Sequence, residues 1–198
     1  MPHHYQDHYF FKAKKEGFLA RAVYKLEEIQ AKYRILRPGF RVLDLGAAPG
    51  SWLQFTEKAV GPGGRVVGVD IKPIRHLFAP HVTTLERDIF DRACLEELNS
   101  RFPPFDVVLS DMAPSTTGIR CADSARSALL FERAIEVALA VLKPPGSFLG
   151  KLFQGSESNQ LIAAAKSRFN RLKVVKPGAS RKDSREIYIL ATGLRKTQ

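Results

Sequence analysis

The chain has 198 residues, a formal net charge of +11 and two cysteines. This length fits one domain with a sizeable core, which we place over 1–198, with a basic arm and helix over 1–40 and a core over 41–198. No apolar run can cross a membrane, no signal-peptide pattern begins the chain, and Cys94 and Cys121 form no C-x-x-C motif. Membrane, disulfide-rich and zinc-cysteine proteins are therefore excluded, and we expect a cytoplasmic monomer without a metal site.

The positive charge is concentrated at the two ends of the chain. Residues 1–40 hold eight Lys/Arg and four Asp/Glu, residues 41–165 hold thirteen and fourteen, and residues 166–198 hold ten and two. A nearly neutral centre between basic ends is typical of a catalytic core with a polyanion-binding surface, and nucleic acid is the favoured polyanion. The alternative is a solvated basic surface that only aids solubility.

Hydrophobic periodicity predicts helices that alternate with strands after a frayed tail over residues 1–11. The predicted helices span about Phe18–Tyr33, Ser51–Val60, Leu95–Arg101, Ala122–Leu142 and Ser158–Phe169. The predicted strands are Arg41–Leu45, Val66–Asp70, Val82–Glu86, Phe105–Asp111, Ser147–Phe153, Leu172–Lys176 and Ile187–Ala191. This order predicts an α/β fold with a mostly parallel seven-stranded sheet and helices on both faces. No helix separates the last two strands, so the last strand should be antiparallel.

A turn of small residues follows the first strand. Gly46, Pro49 and Gly50 stand between that strand and the helix that starts at Ser51. Small residues let a ligand approach the backbone, and Asp70 ends the second strand, where a carboxylate can accept hydrogen bonds from ribose hydroxyls. Neither a third glycine nor a lysine follows, so a nucleoside cofactor without a diphosphate is favoured, with S-adenosylmethionine (SAM) the obvious candidate.

Other polar residues also stand at or just after strand ends, namely Asp88, Asp111 and Lys151. Ligands of parallel sheets bind beyond the C-terminal ends of the strands, so these side chains are expected at one site. For each acid taken alone, a helix cap or a turn is the alternative. Trp52 begins the helix after the turn and is predicted to wall the cofactor pocket, a role compatible with core packing.

Motifs in the same order resemble the FtsJ/RrmJ family, which comprises SAM-dependent ribose 2′-O-methyltransferases of RNA. They are ARAVYKL (20–26), DLGAAPGSW (44–52), SDMAP (110–114), GKLFQG (150–155) and SREIY (184–188). The resemblance covers nearly the whole chain and implies a Rossmann-like methyltransferase fold. It implies a Lys-Asp-Lys-Glu tetrad at Lys25, Asp111, Lys151 and Glu186. It also implies SAM contacts at Gly46, Pro49, Gly50, Trp52, Asp70, Asp88 and Asp111.

The chemistry implied by this resemblance explains the residue types of the tetrad. A ribose hydroxyl is a weak acid, so methyl transfer to it needs a base or cationic surroundings. Lys151 is the predicted base; if it stays charged, it instead stabilises the developing oxyanion and orients the hydroxyl. RNA is expected to reach the site through sequence-independent phosphate contacts with Lys12, Lys14, Lys15, Arg21, Arg181, Lys182 and Arg185. For residues 12–15, the alternative is a solvated helix start.

Resemblance to compact bacterial-type members implies a substrate, a uridine in the A-loop of 23S rRNA within the assembled large subunit. Ribose methylation of tRNA or of an mRNA cap keeps the chemistry and changes the RNA. A non-catalytic RNA-binding factor for ribosome assembly is an alternative from another class, and the intact tetrad disfavours it. A small-molecule methyltransferase is possible on fold alone, and the basic ends disfavour it.

Overall fold

The computed structural model describes residues 8–181 and 183–195. Within them, seven strands form one sheet in the order β3-β2-β1-β4-β5-β7-β6. The strands are β1 (Arg41–Leu45), β2 (Arg65–Asp70), β3 (Val82–Glu86), β4 (Phe105–Ser110), β5 (Leu142–Phe153), β6 (Phe169–Val175) and β7 (Glu186–Leu194). Strands β1 to β5 pair in parallel, and β7 is antiparallel to both β5 and β6. The predicted mostly parallel sheet with an antiparallel last strand is confirmed.

Helices cover both faces of the sheet. They are α1 (His8–Lys15), α2 (Val23–Tyr33), α3 (Ser51–Val60), α4 (Arg92–Arg101), α5 (Arg120–Val141) and α6 (Ser158–Arg168). Successive strand residues point to opposite faces, so Leu43 packs with Phe131 of α5 while Val42 packs with Leu26 of α2 and Leu53 of α3. None of the described helices is both long and apolar enough to cross a membrane.

The prediction of a frayed tail over residues 1–11 is wrong from His8 onward, because α1 begins there. Ala13 is buried with Val23, Tyr24 and Ala179, and Tyr9 packs against this small cluster. Burial of one apolar stripe stabilises a helix too short to form alone. Residues 1–7 lie outside the described part of the chain.

The second helix starts later than predicted, at Val23 rather than about Phe18. The side chain of Gln54 accepts a hydrogen bond from the Leu19 N–H at 2.9 Å and donates one to the Gly17 carbonyl at 3.1 Å. These bonds attach residues 17–19 to α3 and satisfy backbone groups that a helix would otherwise use.

The fifth strand starts earlier than predicted, at Leu142 rather than Ser147. Leu142 pairs with Phe105, and regular pairing resumes at Ser147 with Val107 after an irregular step. The predicted boundary at the proline pair is therefore wrong, because Leu142 finds a strand partner before the prolines interrupt the ladder.

Candidate active site

The two tetrad residues nearest the centre of the sheet form an ion pair. Asp111 follows β4, and Lys151 lies on the adjacent strand β5, near the same C-terminal edge. The Lys151 Nζ lies 3.0 Å from the Asp111 Oδ1 and 2.6 Å from the Asp111 backbone oxygen. Lys151 is only 6% exposed, so these two contacts offset part of the cost of burying its amine.

The other two tetrad residues form a second ion pair beside the first. Lys25 lies on α2, and its Nζ is 2.8 Å from the Glu186 Oε1 and 2.9 Å from Oε2. Glu186 begins the antiparallel strand β7 and pairs with Phe153 at the end of β5, which brings it to the edge that holds Lys151. The structure therefore brings together all four residues that the motifs single out.

Tyr188 links the two ion pairs, and sequence reasoning gave it no role. It faces Lys151 across β5 and β7, and its hydroxyl donates a 2.5 Å hydrogen bond to the Asp111 Oδ1. Its ring centroid lies 5.8 Å from the Lys25 Nζ. Burial, followed by the charges of Asp111 and Glu186, raises the pKa of Tyr188 well above its ordinary value. Its place two residues after Glu186 on an alternating strand was the available signal.

The carboxylate of Asp111 is stabilised in its charged form. Burial pushes its pKa upward, but the ammonium groups of Lys151 and Lys25 and the hydrogen bond from Tyr188 outweigh burial and lower the pKa. A charged Asp111 keeps the Lys151 amine at a fixed position, because it accepts from that amine and from Tyr188 through the same oxygen.

A cleft of about 420 Å³ opens at the C-terminal edge of β1, β2 and β4, on the other side of Asp111. Asp70 forms part of its wall and accepts hydrogen bonds from the N–H groups of Ala48 (2.9 Å) and Lys72 (2.8 Å). Asp88 lies at the rim, where its Oδ1 accepts from the Phe90 N–H at 2.9 Å. Predicted cofactor residues that line the cleft are Gly46, Asp70, Asp88 and Asp111.

Gly46 is required by the shape of this cleft. Its φ of +77° suits glycine, and a Cβ atom would lie 3.1 Å from the Cα of Met112 and would also overlap the Met112 side chain. Gly50 also has a positive φ, but it faces Phe78 and caps α3 rather than lining the cleft. The prediction for Gly46 thus has a steric basis in the structure.

Pro49 and Trp52 also lie outside the lining of the cleft. Trp52 is 3% exposed, its Nε1–H donates to the Ala22 carbonyl at 2.8 Å, and its ring centroid lies 6.0 Å from that of Tyr188. The indole thus packs against Tyr188 and joins α3 to the segment before α2, a core position that is compatible with the predicted contact to the cofactor.

Asp44 is a second buried carboxyl that sequence reasoning passed over. It lies in β1, is 0% exposed, and neither of its side-chain oxygens has a hydrogen-bond partner among the described residues. Burial, followed by the charges of Asp111 and Asp70, raises its pKa well above its ordinary value. One acid inside an otherwise apolar strand was the signal that could have identified it.

We expect Asp44→Asn to unfold at a higher temperature than the parent protein at about pH 8, with a smaller difference near pH 5. A carboxyl whose folded pKa is raised contributes its full stability below about pH 3.9 and loses it as the pH rises through the folded pKa. Asp123→Asn is the contrast, because hydrogen bonds from Thr117 lower the pKa of Asp123. Thermal unfolding across this pH range measures both, and an equal pH dependence for Asp44→Asn and the parent would contradict the assignment.

The predicted RNA-contacting residues that the structure describes lie in two regions, helix α1 and the neighbourhood of Glu186. Lys14 and Lys15 are exposed at the end of α1, whereas the Lys12 Nζ lies 4.3 Å from the Tyr24 ring centroid. Arg21 donates to the Ala179 carbonyl, and its pKa is lowered by burial and then by Arg181, with Glu186 acting in the opposite direction. Lys182 lies outside the described residues.

Arg185 is held by the protein itself. Its guanidinium donates to the Ser124 Oγ at 2.9 Å and to the Arg120 carbonyl at 3.1 Å. These bonds attach the start of β7 to the beginning of α5, so Arg185 fixes the position of Glu186 beside it.

Comparison with known proteins places this geometry among methyltransferases. Residues 18–194 match the family model described as FtsJ-like methyltransferase. A Syntrophobacter fumaroxidans protein named Ribosomal RNA large subunit methyltransferase E is 60% identical over 192 residues, covering 97% of this chain and 98% of that protein. A protein of the same name from Bdellovibrio bacteriovorus is 45% identical over 198 residues, covering 96% of this chain and 97% of that protein.

Solved structures confirm the fold. A Plasmodium falciparum chain assigned as a ribosomal RNA methyltransferase matches with a TM-score of 0.78 and 24% identity, covering 89% of this chain and 98% of that chain. The MycE methyltransferase of the mycinamycin pathway, solved with Mg, SAH and mycinamycin VI, has a TM-score of 0.59 and 17% identity. That match covers 86% of this chain and 47% of MycE. The predicted Rossmann-like methyltransferase fold is therefore confirmed.

Proposed function

Because the chain belongs to the FtsJ-like methyltransferase family, we propose that it transfers a methyl group from SAM to the 2′ oxygen of a ribose in RNA. The target is a uridine in the A-loop of the large-subunit rRNA. One observation carries the proposal: Asp111 lines the cleft and also binds Lys151. In this proposal the methyl donor occupies the cleft on one side of Asp111, and the acceptor hydroxyl lies beside Lys151 on the other side.

The volume of the cleft and its hydrogen-bond acceptors are suited to SAM. Its volume of about 420 Å³ lies within the range of small-ligand sites. Asp70 and Asp88 supply carboxylate oxygens for ribose and amino groups, and Ile71 and Phe90 present exposed apolar side chains for a purine ring. Gly46 allows the backbone to approach the ligand. SAM supplies the activated methyl group, so the protein has to position the acceptor and manage its proton.

Lys151 manages that proton in this proposal. As a neutral amine it accepts the proton of the 2′ hydroxyl, and as an ammonium it stabilises the negative charge that develops on the oxygen. Either role needs the hydroxyl within about 3 Å of the Nζ, on the side not occupied by Asp111. Asp111 positions the amine directly, and Tyr188 is a positioning residue that acts through its hydrogen bond to Asp111.

Phosphate contacts orient the RNA over this site. Arg21 lies close enough to both Arg181 and Glu186 for their charges to influence its pKa, which burial lowers most. Two guanidinium groups beside the tetrad are suited to phosphate, which guanidinium binds through paired hydrogen bonds. The names of the relatives support large-subunit rRNA as the RNA. The resemblance to compact members supports the uridine and the assembled subunit.

Methyl transfer from labelled SAM to three substrates in parallel tests the proposed function. They are undermethylated large ribosomal subunits, naked large-subunit rRNA and bulk tRNA. We expect label in the large subunits, with less or none in tRNA. Label in tRNA alone would keep the chemistry and overturn the substrate. No transfer to any RNA, despite measurable SAM binding, would favour the non-catalytic RNA-binding alternative.

SAM binding tests the cleft separately. We expect Asp88→Ala to weaken SAM binding by about tenfold to a hundredfold, because one charge-assisted hydrogen bond contributes roughly 1.5–3 kcal/mol. Asp91→Ala is the matched control, since Asp91 is exposed, begins α4 without a capping side-chain bond and lies outside the cleft lining. Isothermal titration of both variants with SAM gives the comparison. Equal affinities for the two variants would remove Asp88 from the cofactor site.

A further inference from the structure

A second cationic surface lies at the edge of the sheet, away from the tetrad. The Lys32 Nζ on α2 lies 5.5 Å from the Tyr33 ring centroid, and the Lys173 Nζ on β6 lies 5.1 Å from the same centroid. Arg171 shares the face of Lys173, because alternate residues of a strand point the same way. We call Lys32, Tyr33, Arg171 and Lys173 the edge surface.

The β6 part of the edge surface, Arg171 and Lys173, lies in a stretch of chain without negative charge. Residues 158–181 contain no Asp or Glu and six basic residues: Lys166, Arg168, Arg171, Lys173, Lys176 and Arg181. Within residues 8–181 and 183–195, neither Lys32, Arg171 nor Lys173 forms an ion pair with a carboxylate. Two ammonium groups at one ring repel each other, and the negative face of the ring offsets only part of that repulsion. A bound anion would offset the remaining repulsion between the two ammonium groups.

The two elements of the edge surface are attached to each other. Glu28, one helical turn before Lys32, accepts hydrogen bonds from the N–H groups of Gly178 (2.6 Å) and Ala179 (2.9 Å) in the loop after β6. The carboxylate of Glu28 is thereby directed to the backbone of that loop. These bonds fix α2 relative to β6, so Lys32 and Lys173 are already close together before any ligand binds.

The edge surface is continuous with the tetrad along β6. Val175, near the end of β6, pairs with Tyr188, which contacts Asp111. Lys173 precedes Val175 by two residues, or about 7 Å along the strand. A polyanion that passes the tetrad can therefore follow β6 and reach the edge surface without leaving the protein.

We propose that the edge surface binds the phosphate backbone of a second segment of the RNA substrate, beyond the segment that enters the active site. This inference rests on the proposed function and adds to it the recognition of RNA structure at a distance from the target nucleotide. The charged side chains of the edge surface are all cations, they lie beside an aromatic ring, and the surface continues the path from the tetrad. These features favour RNA over an acidic protein.

Charged edge strands also prevent sheets from pairing edge to edge, so a purely protective role for these cations has to be separated from binding. The double variant Lys32→Gln/Lys173→Gln removes both charges. Lys58→Gln is the matched control, because the Lys58 Nζ lies 5.2 Å from the Phe18 ring centroid on the exposed side of α3. Circular dichroism melting of each variant establishes that the fold is retained.

The measurement is the dissociation constant for large-subunit rRNA across about 50–200 mM salt, by filter binding, together with methyl transfer to naked large-subunit rRNA and to undermethylated large subunits. Each lost phosphate contact lowers the slope of log affinity against log salt by about one. We therefore expect the double variant to lose about two from the slope and about tenfold or more in affinity. Lys58→Gln should bind the RNA with the affinity and salt slope of the parent protein. The charge-conserving variant Lys32→Arg/Lys173→Arg should retain binding.

Unchanged affinity and salt slope in the double variant, with methyl transfer by the parent protein intact, would overturn the proposed binding of RNA at the edge surface. The proposed function would not be affected. Unchanged RNA binding with reduced transfer only to protein-containing subunits would assign an acidic protein to the surface, which also overturns it. Failure of the parent protein to methylate any RNA would instead count against the proposed function.

Discussion

Lys151→Ala is expected to lower the rate of methyl transfer at least about a thousandfold, while SAM binding stays within about twofold of the parent protein. Asp111, at the edge of the cleft, contacts the Lys151 amine through both its side-chain Oδ1 and its backbone oxygen. Removal of the amine leaves the acceptor hydroxyl without a proton acceptor or a stabilising charge. The proposed cofactor contacts at Asp70 and Asp88 do not involve Lys151. Single-turnover transfer and SAM titration separate the two effects.

Two further variants control this result. Lys151→Met fills the same space without the amine and should be as inactive as Lys151→Ala, which excludes a cavity as the cause. Lys143→Met removes a lysine from the same strand, where its Nζ pairs with Asp106 at 2.7 Å at the opposite end of the sheet. Lys143→Met should retain normal transfer. Activity of Lys151→Met within tenfold of the parent would reject the role of the amine.

Gly46→Ala is expected to weaken SAM binding by at least about tenfold and to lower methyl transfer by about a hundredfold. A Cβ at this position meets both the side chain and the backbone of Met112, so Met112 must move. Met112 is bonded to Asp111, and its displacement shifts the residue that the cleft shares with Lys151. One methyl group should therefore disturb both halves of the site.

Gly39→Ala separates this steric effect from backbone strain. Gly39 has a φ of +81°, close to the +77° of Gly46, but nothing lies within 4 Å of its Cβ position. Both variants should lose about 1–2 kcal/mol of stability through the left-handed backbone conformation. Only Gly46→Ala should lose SAM affinity, as measured by titration. Equal SAM affinity for the two variants would show that Gly46 is needed for the turn alone.

The sheet was predictable because its signals are local. Apolar runs bounded by Gly and Pro fixed the strands of the parallel part, and the missing helix before β7 indicated its reversed direction. The start of α1 at His8 was missed because the helix is stabilised by contacts of Ala13 with Tyr24 and Ala179, which lie far apart in the sequence. The late start of α2 was missed for the same reason, since Gln54 on another helix determines it.

The tetrad was predictable only through the motifs, which name four residues from four separate elements. Nothing in their spacing shows that Tyr188 joins the two ion pairs, because that contact depends on the register of β5 against β7. Trp52 was placed in the cofactor pocket by its position after the glycine turn. Its contact with Tyr188 and its bond to the Ala22 carbonyl were not predictable, because they depend on how α3 packs against the segment before α2.

The identity of the methylated atom distinguishes ribose methylation by the tetrad from methylation of a base. Undermethylated large subunits are incubated with labelled SAM and either the parent protein or Lys151→Ala, and the RNA is then digested to nucleosides. A methyl group on the 2′ oxygen also protects the adjacent phosphodiester from alkali, because that oxygen is the nucleophile in the cleavage. We expect label in 2′-O-methyluridine, resistant to alkali and absent with Lys151→Ala. Label on a base, or equal label with Lys151→Ala, would contradict ribose methylation by this tetrad.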